Sequence, residues 1–181
     1  MKLFQNKSSR IIAIILAVIL IFSGVITCFY LFYIPKKYSA IITRISEEYD
    51  LESELVFALI RTESNFQKDA VSRSGAVGLM QIMPSTVEFI QKSSSIVAAA
   101  DDVEGNIRMG CWYLSYLFKK FNTLTETLAA YNAGEGVVRN WLSKSDYVNE
   151  EGELIAIPYP ETKTYVTRVK KFYKCYKFFY I

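Results

Sequence analysis

Glu63 stands where a carboxylate is least at home. A helix over residues 53–64, with Ser53 as its N-cap candidate, puts Val56, Ile60 and Glu63 on one face. That stripe faces inward, so Glu63 is expected against apolar groups or in a cleft. It also lies near the helix C-terminus, where the macrodipole disfavours negative charge. Both influences raise a carboxyl pKa. A carboxyl kept protonated near neutral pH is what a general acid requires. The alternative is a helix-end Glu in water or paired with Lys or Arg. Composition closes off other chemistries. The chain holds no histidine, which excludes Ser-His-Asp and Cys-His nucleophile systems and an HExxH zinc site. Cys28, Cys111 and Cys175 are too few and too scattered for a structural zinc site. Acid–base work falls to carboxylates, lysines or tyrosines.

Two nearby segments carry further polar groups. Residues 72–78, from Ser72 to Gly78, are rich in turn formers. They lead into an apolar run, 79–84, interrupted by the amide of Gln81. An amide among buried groups must find a partner, either a ligand or a backbone carbonyl. Further on, Tyr131-Asn132-Ala133-Gly134 ends a helical pattern as a left-handed C-cap would. Tyr131 alone reads equally well as core.

The elements that must hold these groups are helical. Apolar periodicity marks helices over 38–49, 53–64, 84–92, 102–121, 123–132, 137–142 and 161–178, with Pro84 in a first turn. Residues 154–157 are the one run that suits an extended segment. This is a mostly α domain, large enough to bury a real core. Trp112, Trp141 and the aromatic C-terminal helix read mainly as packing residues. The final residues 178–181 are an alternative membrane or partner contact.

The chain is 51% hydrophobic, with mean hydropathy +0.16. The excess sits in residues 11–34, which carry no charge. As a helix they would be about 36 Å long, enough to cross a hydrocarbon core. Tyr30 and Tyr33 suit an interface. A cleaved signal peptide fits less well, because the run is too long and no A-x-A-like site follows. Lys2, Lys7 and Arg10 precede the segment while Lys36 and Lys37 follow it, which weakly favours an inside N-terminus. The net charge of +3 belongs to residues 1–34; beyond them 18 basic residues balance 18 acidic ones. The domain does not read as a nucleic-acid binder. After Glu161, however, Lys163, Arg168, Lys170, Lys171, Lys174 and Lys177 run without an acid. They are a solvated helix face or a patch toward anionic wall polymer or lipid.

Four blocks in order carry a family resemblance over about residues 40–175. They are Ala58 to Phe66 with Ala70 and Ser72; Gly75 to Thr86; Asn106-Ile107 with Gly110, Tyr113 and Leu114, then Ala130 to Gly134; and Ile157-Pro158 with Glu161-Thr162 and Tyr165-Val166. Together they resemble the lytic transglycosylase domain of the soluble-lytic-transglycosylase type, a goose-lysozyme-like glycosidase family. The resemblance implies a lysozyme-like fold behind a single N-terminal transmembrane helix. It implies cleavage of the MurNAc-β-1,4-GlcNAc bond of peptidoglycan without water, leaving 1,6-anhydroMurNAc ends. Glu63 would be the catalytic acid and then base. Ser72, Met80, Gln81, Tyr131, Asn132 and Tyr165 would contact or line the substrate site, with Tyr165 near the catalytic carboxyl, where its hydroxyl would hold or proton-couple to Glu63. Ser64, Gly75, Gly78 and Gly134 would support it, and Asn106 and Gly110 would be structural. No metal or cofactor is implied. The usual glycosidase pair of carboxylates has no evident second member, which suits an intramolecular hydroxyl nucleophile that needs no water-activating base.

Peptidoglycan lies outside the cytoplasmic membrane, so the resemblance also sets expected topology. Residues 1–10 would be a cytoplasmic tail, 11–34 the anchor and 38–181 the extracytoplasmic catalytic domain. The expected partners are glycan strands, the membrane and an unidentified cell-envelope assembly. Cys111 and Cys175 would share the oxidising side, as a disulfide or as two buried thiols. Rival readings are a hydrolytic muramidase on the same fold and a non-catalytic wall-binding scaffold.

Overall fold

The computed structural model describes residues 7–179, without the side chains of 28–33. The expectations placed on residues 1–6, on the side chains of Cys28, Tyr30 and Tyr33, and on Tyr180-Ile181 lie outside the described residues. The chain divides into two compact units, residues 1–36 and 37–181.

The first unit is one helix, α1 (Lys7–Tyr33). Among the described residues it is the one helix long and apolar enough to cross a membrane, over Lys7–Thr27. None of that stretch is buried in protein. Ile11, Ile15, Ile19, Phe22 and Ile26 all stand exposed, whereas the core helix of a water-soluble domain hides such residues.

The second unit contains α2 (Ser39–Glu48), α3 (Ser53–Glu63), α4 (Pro84–Ser93), α5 (Val103–Phe118), α6 (Leu124–Ala133), α7 (Glu135–Leu142) and α8 (Pro160–Phe179). It is mostly helical, and its described β pairing consists of isolated bridges. α3 is apolar around most of its circumference: residues 55–60 are all buried. It is therefore the central helix, and α8 packs against it more extensively than any other pair in the fold. Tyr176 of α8, fully buried, stacks on Phe57 of α3 with ring centroids 5.4 Å apart.

Local boundaries differ from the sequence reading at several points. The N-cap of α3 is Glu52, not Ser53, and no side chain caps it. Ser53 instead donates to Glu54 at 3.4 Å. The long helix expected to reach residue 121 stops at Phe118, because its last turn tightens through Lys120 and Phe121 N–H bonds to Leu117. Gly134 is not a left-handed cap. With φ 96° and ψ 146° it is a junction, ending α6 and opening α7. Residue 154 does sit in extended backbone, in a single bridge with Val148. Cys111 and Cys175 are free thiols rather than a disulfide. Cys111 is buried, which raises its pKa.

Two buried polar side chains fasten the loops to the helices. Glu126 and Thr123 form a capping box at the start of α6. The second Glu126 oxygen accepts the Leu154 N–H at 3.1 Å, fixing the loop before α8. Asn106, 1% exposed, does the same for the segment after α3. Its carbonyl accepts the Met80 N–H at 2.8 Å, and its amide donates to Val77 O at 3.0 Å and Ala100 O at 2.7 Å. A Cβ on Gly78 would lie 2.3 Å from that amide nitrogen, and φ there is +77°. Only glycine fits. A Cβ on Gly110 would lie 2.3 Å from the Met80 sulfur, so that glycine makes room for Met80.

Asn106→Ala leaves the buried Met80 N–H and the Ala100 carbonyl without their partner and removes one of the two bonds to Val77 O. It is expected to lower stability by about 2–4 kcal/mol, read from guanidinium unfolding of the full chain in a mild detergent. A change below about 0.5 kcal/mol would show that the loop is held by other means.

Candidate active site

The site is built at the C-terminal end of α3. Ser64 caps that helix, and its buried hydroxyl donates to Leu79 O at 2.8 Å. The chain then turns sharply: Asn65 and Phe66 both take positive φ, 52° and 61°. For a bulky residue such as Phe66 this conformation is strained. Burial of its ring, 6.2 Å from that of Phe57, offsets the strain. The turn leaves Glu63 at the lip of the buried helix rather than inside it.

The following segment folds back as a compact loop. The Ser72 N–H donates to Ala76 O at 2.9 Å, the N–H of Gly75, which has φ +86°, donates to Ser72 O at 3.0 Å, and the Ser72 hydroxyl accepts the Ala76 N–H at 3.0 Å. Val77 and Ile82 pair through two backbone bonds of 3.1 and 3.0 Å. Between them Gln81 has φ +48°. Its amide nitrogen donates to Ala70 O at 3.0 Å and Gly78 O at 2.9 Å. The partners of this amide nitrogen are thus backbone carbonyls.

Two tyrosines close the site. Tyr165 of α8 donates its hydroxyl to the Glu63 carboxylate at 2.6 Å, across 102 positions of sequence. Tyr131 of α6 donates to Met80 O at 2.9 Å. Burial raises both phenol pKa values, and the nearby Glu63 charge raises them further. Both hydroxyls therefore keep their protons. Burial also acts on Glu63, pushing its carboxyl up to about 7, against the opposing pull of the Tyr165 hydrogen bond. No cation or second carboxylate contributes to that shift.

The other expected site residues fall into two groups. Asn132 is exposed and, with Tyr165, lines a cavity of about 380 Å³ whose other walls are Thr62, Pro160, Glu161, Thr164 and Arg168. Met80 does not line a cleft. It is fully buried against Gly110, with both its backbone groups bonded, so it underlies the site. Ser72, Gly75, Gly78 and Gly134 shape backbone as described above.

Some residues escaped the sequence reading. Glu161, Thr164 and Arg168 flank Tyr165 at helical spacing, so the periodicity of α8 already put them on the Tyr165 face. Trp112 is half-buried rather than core. It stacks on Tyr116 at 5.6 Å, beside Phe89 and Tyr113. Tyr113 also meets Tyr131 at 5.6 Å, and with Phe89, Ser85, Thr86 and Glu135 it lines a depression of about 170 Å³. Trp141, 3% exposed, is core.

A family model described as the transglycosylase SLT domain matches residues 40–153, and the chain belongs to this family. It is 34% identical over 152 residues to the soluble lytic murein transglycosylase of Escherichia coli K12, a match covering 80% of this chain and 24% of that one. It is 37% identical over 116 residues to the membrane-bound lytic murein transglycosylase C of Edwardsiella ictaluri, covering 56% of this chain and 32% of the relative. Among solved structures, the 70 kDa soluble lytic transglycosylase of Escherichia coli superposes with a TM-score of 0.73 at 34% identity, covering 81% of this chain and 25% of that one. An inactive glutamate-to-glutamine mutant of the Pseudomonas aeruginosa lytic transglycosylase Slt gives the same TM-score of 0.73, identity of 34% and coverages of 81% and 25%. The chain spans about a quarter of the length of the soluble curated relatives it matches.

The raised carboxyl has a consequence for stability. The Glu63 pKa lies above its ordinary 4.5, near 7. Between those values the native state holds a proton that the unfolded chain has released. The native-state advantage is therefore full below the unfolded value and is lost as pH rises through the folded one. Glu63→Gln is expected to match the parent near pH 4 and to exceed it by about 1–3 kcal/mol near pH 8. Denaturant unfolding at the two pH values checks this, and a pH-independent difference would contradict a raised pKa.

Proposed function

We propose that this chain is a membrane-anchored lytic transglycosylase that cleaves the β-1,4 bond between MurNAc and GlcNAc in peptidoglycan. The observation that carries the reading is the Tyr165–Glu63 hydrogen bond in a setting that holds the carboxyl near pKa 7 with no second carboxylate acting on it. Glu63 protonates the bridging oxygen while the bond from that oxygen to C1 of MurNAc breaks. The resulting carboxylate then takes the proton of the MurNAc 6-hydroxyl as its oxygen bonds C1. Glu63 ends protonated, no water is consumed and the product is a 1,6-anhydro ring. Protonation by a positioned carboxyl contributes about 10²–10⁴-fold. A nucleophile held on the same sugar adds a large effective molarity.

The remaining residues receive roles from their positions. Tyr165 orients Glu63 and steadies its ionised form between the two proton transfers. The Tyr131–Met80 bond and the backbone-locked Gln81 fix the floor under the reacting sugar, and Asn132 and Ser72 border it. The names of the relatives, soluble and membrane-bound lytic murein transglycosylases, support the reaction and substrate class. The exposed apolar face of α1 supports a single-pass anchor. Because the substrate lies outside the cytoplasmic membrane, we place residues 1–10 inside, 11–34 across the bilayer and 38–181 outside.

The test is the product mass from intact peptidoglycan. Full-length protein should release muropeptides one water lighter than hydrolytic products, and Glu63→Gln should lower the rate by about 10²–10⁴-fold. Reducing-end products alone would assign a hydrolytic muramidase. Unchanged activity in Glu63→Gln would remove Glu63 from the reaction. Tyr165→Phe, which loses the bond that lowers the Glu63 pKa, should slow turnover and move the alkaline limb of the rate profile upward from about 7.

A further inference from the structure

The C-terminal end of α8 has no part in the chemistry above. Along α3, Tyr165 stands beside Glu63 at one end and Lys177 beside Glu52 at the other. The two helices therefore run antiparallel, and the last turns of α8 lie at the far end of α3 from the catalytic carboxyl. From Tyr165 to Phe178 the helix rises about 20 Å.

Two kinds of side chain crowd that end. Phe178 is 74% exposed, and the ring of Phe179 meets it edge-on at 4.9 Å. Among the described large apolar residues of the second unit, they are the one exposed pair adjacent in sequence. Lys174 and Lys171 stand one and two turns before Phe178, on its face of the helix. Both are exposed, and neither enters a described salt bridge. Burial lowers the pKa of Lys170, and the charge of Lys174 lowers it further. Glu52 nearby is taken up by Lys177 at 2.7 Å. The lysines thus crowd one another without a described acid to balance them, beside an aromatic ring left in water. A soluble polyanion would answer the lysines but not the ring. A bilayer with anionic headgroups answers both, with phosphates for the ammonium groups and the interfacial layer for the ring.

We propose that this end of α8 docks on the anionic outer leaflet of the membrane that carries α1, through Lys171, Lys174 and Phe178. The proposal rests on the reading of α1 as an anchor. Residues 34–38 join α1 to α2. Fully extended, they span at most about 18 Å. A domain tethered so closely meets its own bilayer at high effective concentration, so a contact of a few side chains suffices. With this end on the bilayer, the Tyr165 end of α8 is the one turned toward the wall.

The test uses full-length protein in nanodiscs of phosphatidylcholine with brominated acyl chains, with or without phosphatidylglycerol. Phe178→Trp places an indole at the contact, and Trp112 and Trp141 of the parent supply the background. The added fluorescence should be quenched about twofold more with phosphatidylglycerol than without it, and high salt should remove the difference. Adding Lys171→Gln and Lys174→Gln should abolish the extra quenching, and Lys171→Arg with Lys174→Arg should keep it. An added signal unquenched on both lipids, from protein that stays with the nanodiscs, overturns the docking and leaves the anchor reading intact. Quenching that is the same on both lipids and survives the glutamine substitutions shows a contact made without charge and also overturns the proposal. Protein that does not stay with the nanodiscs contradicts the anchor, and this inference falls with it.

Discussion

The hydrogen bond from Tyr165 to Glu63 is the contact on which the catalytic account depends. It joins the end of α3 to the face of α8, and those two helices form the most extensive packing in the domain. It also sets two opposing influences on one carboxyl. Enclosure raises the pKa and a phenol donor lowers it, and the balance lies near 7. A buried carboxyl without the donor would hold its proton too firmly to serve as a base in the second half of the reaction. One in open water would be ionised at neutral pH and useless as the acid. The geometry suits a group that must give a proton and take one back.

Such a balance needs a rigid frame, because hydrogen-bond strength falls steeply with misalignment. The frame is made of buried polar groups whose partners are mostly backbone. Asn106 pins residues 77–80 to α5, Ser64 pins Leu79 to α3 and Tyr131 pins Met80 to α6. Three helices thus hold one short loop, and the loop's strained residue, Gln81, is held by its own amide. Strain of this kind persists only where the surroundings over-determine it. Met80 has no exposed surface, yet its backbone is the point at which α5 and α6 meet the loop.

Much of this was legible in the sequence, because periodicity reports helices and faces directly. The stripe Val56, Ile60, Glu63 marked a carboxyl at the edge of a buried helix, and Pro84 marked the start of α4. What escaped was set by tertiary contacts or backbone dihedrals. Ser53 had the right chemistry for a cap, but its hydroxyl turned to Glu54. Asn132-Ala133-Gly134 read as a left-handed stop, yet Gly134 takes a different positive-φ conformation because α7 starts at once. Met80 resembled a cleft residue; only the depth of Gly110 shows where its side chain goes. The Tyr165–Glu63 pair, 102 positions apart, was suggested by family resemblance and not by any pattern in the residues.

In the resting protein Glu63 should titrate near 7, so that much of it still holds its proton at neutral pH. NMR titration of the full chain, with 13C-labelled glutamate side chains, measures this without substrate. One carboxyl signal should titrate with a midpoint near 7 and be absent from Glu63→Gln. If no glutamate signal titrates near 7, Glu63 lacks the raised pKa and cannot be the acid proposed for it.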